Sequence, residues 1–273
     1  MSFKRKILYA SYLALKKSGY LKFKNSFSNQ ANILAFHRVN HYEINHLSTP
    51  IHIFDKLMWT IQQHYSPVPL QYIIDTLNKG NKIPPKTIVI TFDDGYRDNL
   101  LYAAPILKKY NIPATFFVTS GYINTQRIFP WDAASNIPHP NMTWEDVREL
   151  QRIGFEIGSH TINHVNLGKA TESEAIQEIN QSKEQIKDQV KAPVTTIAIP
   201  FGKKECVQSN TEKIIKEAGY QASFMLRGGK LTEKSNPYYL PRVPIYPSYI
   251  EMMMELDNYI VYYDNKMKFN FFL

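Results

Sequence analysis

Short apolar runs of strand length alternate along this chain with longer stretches in which apolar residues recur at helical spacing. Apolar, β-branched runs bounded by Gly, Pro or polar residues predict buried strands, and a three-to-four-residue period predicts amphipathic helices. The predicted strands are 33–36, 87–92, 114–118, 155–157, 195–199, 221–225 and 239–242, and the predicted helices are 52–65, 70–79, 98–109, 143–152, 171–190 and 210–218. This alternation predicts an α/β fold with a mainly parallel sheet.

The chain has 273 residues, which is long enough for a full core and most simply one domain. We divide it into a basic amphipathic N-terminal segment at 1–30, the α/β domain at 31–250 and an aromatic, apolar C-terminal extension at 251–273. An irregular insertion rich in Pro, Asn and aromatic residues is expected at 120–141. For the extension we expect a packed helix, with dimerisation or membrane contact as alternatives.

Residues 3–24 have the pattern of a basic amphipathic helix. Its apolar side comprises Ile7, Leu8, Tyr12, Leu15 and Leu21, and lysines and Arg5 surround it. Two interpretations are equally consistent with this pattern. The helix packs on the edge of the domain, or it lies on an anionic membrane surface as an interfacial helix.

The formal net charge of +8 suits an anionic partner such as a membrane surface or an acidic glycan. The basic residues are scattered and no nucleic-acid recognition motif is present, so nucleic acid is not expected as a partner. The single cysteine, Cys206, excludes an internal disulfide framework. The N-terminus lacks the uninterrupted apolar core of a secretory signal, and no apolar run approaches the length of a membrane span. We therefore expect a cytoplasmic protein, with peripheral contact on the inner membrane face.

Two adjacent carboxylates, Asp93 and Asp94, follow the predicted strand 87–92 and precede Gly95. Carboxylates at such close range repel each other, and a bound cation relieves that repulsion. A solvated turn is the alternative, because Asp-Asp-Gly is ordinary turn chemistry. The Asp93–Asp94 pair alone does not decide between a cation site and a solvated turn.

Two histidines four residues apart, His160 and His164, follow the predicted strand 155–157. If the segment turns helically after Gly158, both imidazoles lie on one face at a spacing suited to one metal ion. Two surface histidines are the alternative. An aspartate, two histidines and a water form an open catalytic metal site, and the second carboxylate is then free to act as a base.

The segments 91–95 and 159–164 together resemble the first two motifs of the polysaccharide deacetylases, the metal-dependent carbohydrate esterases with a nodulation-protein B homology domain. The resemblance extends over 105–118 and over 199–202, which is similar to the third motif. It implies a distorted (β/α) barrel with the site at the carboxyl ends of the strands. It also implies that Asp94, His160 and His164 bind one divalent metal, that Asp93 is the general base, and that the backbone N–H of Phe201 after Pro200 stabilises the oxyanion. Zinc is the expected metal, with cobalt, nickel and iron as alternatives.

The chain departs from the usual family pattern at two points. It has no Leu-x-His motif near its C-terminus, where most members carry the general acid, and no arginine precedes Pro200 to orient the base. It is similar instead to a circularly permuted branch, the poly-β-1,6-N-acetylglucosamine deacetylases. There the acid histidine follows an early strand, which here implies His37; the alternative for His37 is a capping or core histidine. Arg242 is a candidate for the missing arginine, with a surface arginine as the alternative.

The expected activity is metal-dependent hydrolytic N-deacetylation of an N-acetylated sugar in a glycan, a polysaccharide or a lipid-linked saccharide. A deformylase, an O-deacetylase and a non-catalytic glycan-binding protein on the same barrel are the alternatives. Trp131 and Asp132 in the insertion are expected to line the sugar cleft, together with Pro200. A core tryptophan is the alternative for Trp131.

Overall fold

The computed structural model describes residues 3–26, 28–41, 45, 47–245, 248–263 and 266–269. The helices are α1 (Phe3–Lys17), α2 (Tyr20–Ser26), α3 (Ile51–His64), α4 (Leu70–Asn78), α5 (Ala104–Lys109), α6 (Trp144–Arg152), α7 (Glu172–Val190), α8 (Thr211–Glu217) and α9 (Tyr249–Leu256). The strands are β1 (Ala31–Phe36), β2 (Arg38–Asn40), β3 (Ser48–Pro50), β4 (Ser66–Pro67), β5 (Thr87–Phe92), β6 (Ala114–Val118), β7 (Glu156–Ser159), β8 (Thr196–Ala198), β9 (Ala222–Met225), β10 (Leu240–Pro241), β11 (Val243–Pro244), β12 (Ile260–Tyr263) and β13 (Lys266–Phe269).

Eight strands form a nearly closed parallel barrel in the order β10-β9-β8-β7-β6-β5-β1-β11. One short segment closes it: Leu240 and Pro241 pair with β9, and Val243 and Pro244 pair with β1. Arg242 lies between the two pairings, at the point where the barrel closes. We call this point the barrel seam. The predicted distorted (β/α) barrel is confirmed, and its circular permutation stays a prediction.

The strands carry apolar residues on both faces, as expected when a parallel sheet is covered by helices. Phe36, Phe92 and Phe116 belong to the large core cluster that includes residues of α3, α5, α6 and α7. The alternate positions Ile33, Val89 and Phe117 belong to a second cluster with Leu240 and residues of α4. Strand alternation places position 91 and position 93, just beyond β5, on the same side as Val89. The site residues therefore lie above the inner cluster, at the carboxyl ends of the strands.

The N-terminal helices pack against the end of the α/β domain. Leu8, Tyr12 and Leu21 are buried in the main core, and Arg5 and Tyr9 donate hydrogen bonds to Glu251 of α9. The expected apolar side is thus largely a packing face, as in the domain-edge interpretation, although Ile7 is 54% exposed. A break at Gly19 divides the predicted continuous helix into α1 and α2.

Most predicted elements are observed within a few residues of their expected bounds. The predicted helix 98–109 begins as a π-helical turn at Asn99–Ala103 and continues as α5. Pro105 lies in the first turn of α5, directly after the π-helical turn, where its missing N–H is tolerated. The C-terminal extension contains most of α9 and the antiparallel pair β12–β13. Within the described residues, no helix combines the length and apolarity needed to cross a membrane.

Candidate active site

The two adjacent aspartates diverge because of the backbone at the end of β5. The Asp93 N–H donates to the Phe36 carbonyl at 2.9 Å, which extends the β1–β5 ladder by one residue. Asp94 then adopts a left-handed conformation with φ 74°. This turn sends the Asp93 carboxylate toward the barrel seam and the Asp94 carboxylate toward the two histidines. The acidic pair is buried, so the solvated-turn interpretation is wrong.

The two histidines come together by a route that the sequence did not indicate. His160 follows β7 directly, and the chain then turns through left-handed conformations at Thr161 (φ 64°) and His164 (φ 56°). The helical turn after Gly158, which was the condition for placing both imidazoles on one face, does not form, but the two histidines are still close together. The two rings have centroids 4.8 Å apart and both are nearly completely buried. The surface-histidine interpretation is excluded.

Glu178 of α7 holds this turn, and sequence reasoning missed it. Its buried carboxylate accepts hydrogen bonds from the backbone N–H groups of Ile162 and Asn163, each at 2.8 Å, and from the Asn163 side chain at 2.6 Å. Three donors on one carboxylate fix the short segment between the two histidines. A signal did exist in the sequence, because Glu178 occupies the apolar stripe of α7 between Ala175 and Ile179.

Asp94, His160 and His164 form a compact cluster of potential metal ligands. One Asp94 oxygen lies 3.5 Å from His160 Nε2 and 3.4 Å from His164 Nε2, and the three potential ligand atoms all lie within 4.8 Å of one another. The His160 Nδ1 makes a 2.8 Å hydrogen bond with the Ala198 carbonyl, which leaves Nε2 facing the cluster. Such a second bond is the usual way in which a ligating histidine is oriented.

The electrostatics of the cluster suit a bound cation. Neither carboxylate oxygen of Asp94 has a hydrogen-bond partner among the described residues. Burial and the neighbouring Asp93 charge raise the pKa of Asp94 well above its ordinary value. Burial likewise lowers the pKa of His160 and of His164, which keeps both imidazoles in the neutral form that binds metals. A divalent ion would compensate the buried carboxylate, so these residues could hold one.

Asp93 is paired with Arg242, the residue at the barrel seam. Two guanidinium nitrogens donate to the two carboxylate oxygens at 2.6 and 2.7 Å, and both side chains are almost fully buried. Arg242 also donates to the Thr91 hydroxyl and lies over the ring of Phe117. Burial raises the pKa of Asp93, but the charges of Arg242 and His160 outweigh it and hold that pKa well below its usual range. The surface-arginine alternative for Arg242 is therefore excluded.

His37 follows β1 and lines the same cavity as Asp93 and Asp94. Burial lowers the pKa of His37 to about 4, with the Asp93 charge opposing that change and Arg242 adding to it. The imidazole is therefore neutral at neutral pH. The role of His37 as a general acid stays a prediction.

The cavity at the carboxyl ends of the strands has a volume of about 860 Å³. Trp131 and Phe201 line it and flank His164, with ring centroids 4.8 and 4.7 Å from the imidazole. Pro200 is buried and lies outside the set of residues that lines the cavity, whereas Ile199 and Phe201 on either side of it belong to that set. The cavity also has a basic rim formed by Lys169, Lys203 and Arg227.

Asp132 has a structural position behind Trp131. Its carboxylate accepts 2.6 Å hydrogen bonds from the buried Arg38 and from the Tyr96 hydroxyl. The same hydroxyl accepts the Trp131 indole N–H at 2.9 Å. Asp132 lies outside the set of residues that lines the cavity, in contrast to the expectation from the sequence. Through its hydrogen bond with Arg38, Asp132 instead attaches the insertion, which carries Trp131, to β2, the strand that follows His37.

Fold and site together define a barrel hydrolase with a candidate metal centre at the carboxyl ends of its strands. A sequence model of the family described as polysaccharide deacetylase matches residues 80–223. The chain belongs to this polysaccharide deacetylase family, and it is a hydrolase that acts on amide bonds of an N-acetylated carbohydrate.

The chain is similar to several known proteins over most of its length. The poly-β-1,6-N-acetyl-D-glucosamine N-deacetylase of Staphylococcus aureus is 28% identical, over 82% of this chain and 81% of that protein. The solved de-N-acetylase from Aggregatibacter actinomycetemcomitans is 26% identical with a TM-score of 0.64, over 80% of this chain and 96% of that one. The Streptococcus pyogenes deacetylase PplD, solved with acetate, has a TM-score of 0.70 at 23% identity, over 83% of this chain and 98% of that one.

Proposed function

We propose that this protein removes acetyl groups from N-acetylglucosamine units of a β-1,6-linked polymer with the help of one divalent metal ion. The observation that carries the proposal is the placement of Asp94, His160 and His164 beside the Asp93–Arg242 pair in one open cavity. The similarity to a poly-N-acetylglucosamine deacetylase over most of both chains supports this choice of substrate.

Asp94, His160 and His164 would hold the ion, and one carboxylate with two imidazoles is a donor set that suits zinc. Cobalt, nickel and iron are alternatives for the same donors. When bound, such an ion would polarise the acetyl carbonyl and make a water molecule more acidic.

Asp93 would accept the proton of the attacking water, and Arg242 would fix the direction of its carboxylate. The low pKa of Asp93 means that it holds a proton weakly and releases it readily. His37 is neutral at rest, so the proton that it gives to the leaving amine has to be acquired during the reaction. Asp93, which interacts electrostatically with His37, is a group that can release that proton. One proton thus passes from water to the amine, and acetate and the free amine are the products.

The cavity walls would bind the sugar. Trp131 and Phe201 present aromatic faces beside His164, and sugar rings pack their apolar faces on such surfaces. Phe201 has a left-handed conformation with φ 60°. We propose its backbone N–H as a donor to the oxyanion, in agreement with the expectation from the sequence.

Peripheral contact with an anionic membrane through residues 3–24 is part of the proposal. The face that contacts lipid would be the outer one, where Ile7 and Leu13 of α1 and Tyr20 and Phe23 of α2 are each more than half exposed among lysines. An apolar face surrounded by cationic side chains is typical of interfacial helices. The cytoplasmic location expected from the sequence stays a prediction.

The test is release of acetate from β-1,6-linked N-acetylglucosamine oligomers by the purified protein. We expect release that a chelator abolishes and that added zinc, cobalt or nickel restores. The variants His160→Ala and His164→Ala provide the matched controls without a metal site. Failure of the metal-loaded protein to release acetate would overturn the proposal. Release from O-acetylated but not N-acetylated oligomers would instead identify an O-deacetylase at the same centre.

A further inference from the structure

A second cavity lies at the opposite end of the barrel from the candidate active site. It has a volume of about 270 Å³ and lies between α1, α2, α9 and the segments that begin β1 and β5. We call it the basal pocket. Its lining residues are Lys16, Leu21, Lys22, Asn25, Ser28, Gln30, Asn32, His64, Tyr65, Lys86, Lys230, Met253, Leu256, Asp257 and Asn258.

Four lysines but only one carboxylate line the basal pocket. That carboxylate, Asp257, is already used, because it accepts hydrogen bonds from Tyr12, Lys16 and Tyr65 at 2.6 to 2.9 Å. Lys230 is also engaged, 3.4 Å from a Glu255 oxygen. The remaining two lysines, Lys22 and Lys86, make no ion pair with any residue that the structure describes. The pocket lining therefore has an excess of positive charge, which suits an anionic ligand.

The wall of the pocket and the surface beside it are apolar. Leu21, Met253 and Leu256 line the pocket itself. On α1, Leu13 lies three residues before the lining residue Lys16, on the same side of the helix, and is 53% exposed. An inorganic anion would use only the lysines, whereas an amphiphile would also cover these apolar side chains.

We propose that the basal pocket binds the phosphate-bearing headgroup of an anionic membrane lipid. In this arrangement Lys22 and Lys86 contact the phosphate, and the acyl chains cover the apolar lining of the pocket and Leu13 of α1. The inference rests on the membrane contact proposed above and is independent of the proposed catalytic activity. It identifies a particular binding site for the headgroup rather than a general attraction of a protein with charge +8 to a negative surface.

The test uses the full-length protein and a soluble short-chain lipid, so that binding to one pocket is separated from adsorption to a surface. Dihexanoyl phosphatidylglycerol below its micelle concentration is titrated by calorimetry, with dihexanoyl phosphatidylcholine as the zwitterionic comparison. The variant is Lys22→Gln with Lys86→Gln. The matched control is Lys191→Gln with Lys204→Gln, which removes the same charge from exposed positions after α7 and after β8.

We expect the anionic lipid to bind and the zwitterionic lipid to bind much more weakly. Loss of Lys22 and Lys86 should weaken binding of the anionic lipid roughly tenfold to thirtyfold, at about a kilocalorie per lysine, and the control should change little. Equal binding of the two lipids, equal losses in variant and control, or no binding at all would each overturn the proposal. Acetate release should be unchanged in both double variants, so a negative result here leaves the catalytic proposal untouched.

Discussion

Arg242 and Asp93 are 149 positions apart in the chain, yet two guanidinium nitrogens of Arg242 meet both carboxylate oxygens of Asp93 within 2.7 Å. The contact joins the last part of the barrel to the strand that carries the acidic motif. Geometry of this kind restricts a carboxylate in both distance and plane, which a lysine cannot do. Closure of the barrel and alignment of the candidate base therefore depend on the same residue.

Arg242→Gln should destabilise the fold by about 3–5 kcal/mol at pH 7, because it leaves the buried Asp93 charge unpaired. The sign of the pH effect follows from the depressed pKa of Asp93, whose ordinary value is 3.8. The pair stabilises the native state above about pH 4, and that contribution is lost as the pH falls. Urea unfolding at pH 7 and at pH 3 should show a smaller difference between variant and wild type at the lower pH. A double variant with Asp93→Asn is the control, and a constant difference would contradict the prediction.

Asp93→Asn and Asp94→Asn should have different effects on bound metal. Asp93→Asn should retain the ion and lose turnover by roughly 10²–10⁴, because only a proton acceptor is removed. Asp94→Asn should lose the ion, since it removes a charged ligand. Elemental analysis and acetate release, measured on the same preparations, distinguish the two. Loss of metal from Asp93→Asn with retention in Asp94→Asn would mean that the two roles are exchanged.

His37→Ala should lower the rate by roughly 10²–10⁴ without a change in metal content, because the leaving amine would lack its proton donor. Added imidazole should restore part of the rate, which a merely structural histidine would not allow. His52→Ala, at an exposed position of α3, is the matched control and should behave as the wild type. A near-normal rate for His37→Ala would remove this residue from the mechanism.

Glu178→Ala should weaken metal binding by about 10- to 100-fold, because the turn between the two histidines loses its three hydrogen bonds. Glu178→Gln should have a milder effect, since its amide oxygen can still accept from the backbone. A competing chelator measures the dissociation constant. Glu184→Ala, at an exposed position of the same helix, should bind metal normally. Equal affinities in the Ala variants at 178 and 184 would show that Glu178 does not position the ligands.

The sequence was a good guide to the chemistry at the carboxyl end of each strand and a poor guide to the conformation of the loops there. A metal site of one aspartate with His160 and His164 was predicted because two polar motifs each follow an apolar run, and the family resemblance implied that Asp94 is that aspartate. A helical turn between the histidines was considered from the sequence, and nothing in it marks Thr161 as left-handed. Hydrogen bonds from Ile162 and Asn163 to a distant helix impose that conformation.

Contacts between side chains far apart in the sequence were the second feature that the sequence could not predict. Arg242 was found only because the resemblance implied that an arginine was missing elsewhere, and its bidentate contact with Asp93 has no local signal. Asp132 was misplaced for the same reason. A charged residue beside an aromatic one suggests a sugar cleft, whereas its partner Arg38 lies 94 positions away in sequence. Proximity across a barrel depends on strand order, which a single sequence does not specify.

Strand β1 connects the two cavities, since Asn32 near its start lines the basal pocket and His37 just after its end lines the catalytic cavity. At about 3.3 Å per residue the two positions are about 17 Å apart along the strand. A protein held to a bilayer through the basal pocket would hold its catalytic cavity above the bilayer by a distance of about that order and turn it away from the lipid. A sugar attached directly to a lipid could not reach it, whereas a long polymer could bend over to it. In such an enzyme, the distance between the bilayer and the catalytic cavity would restrict the substrates before any sugar is recognised.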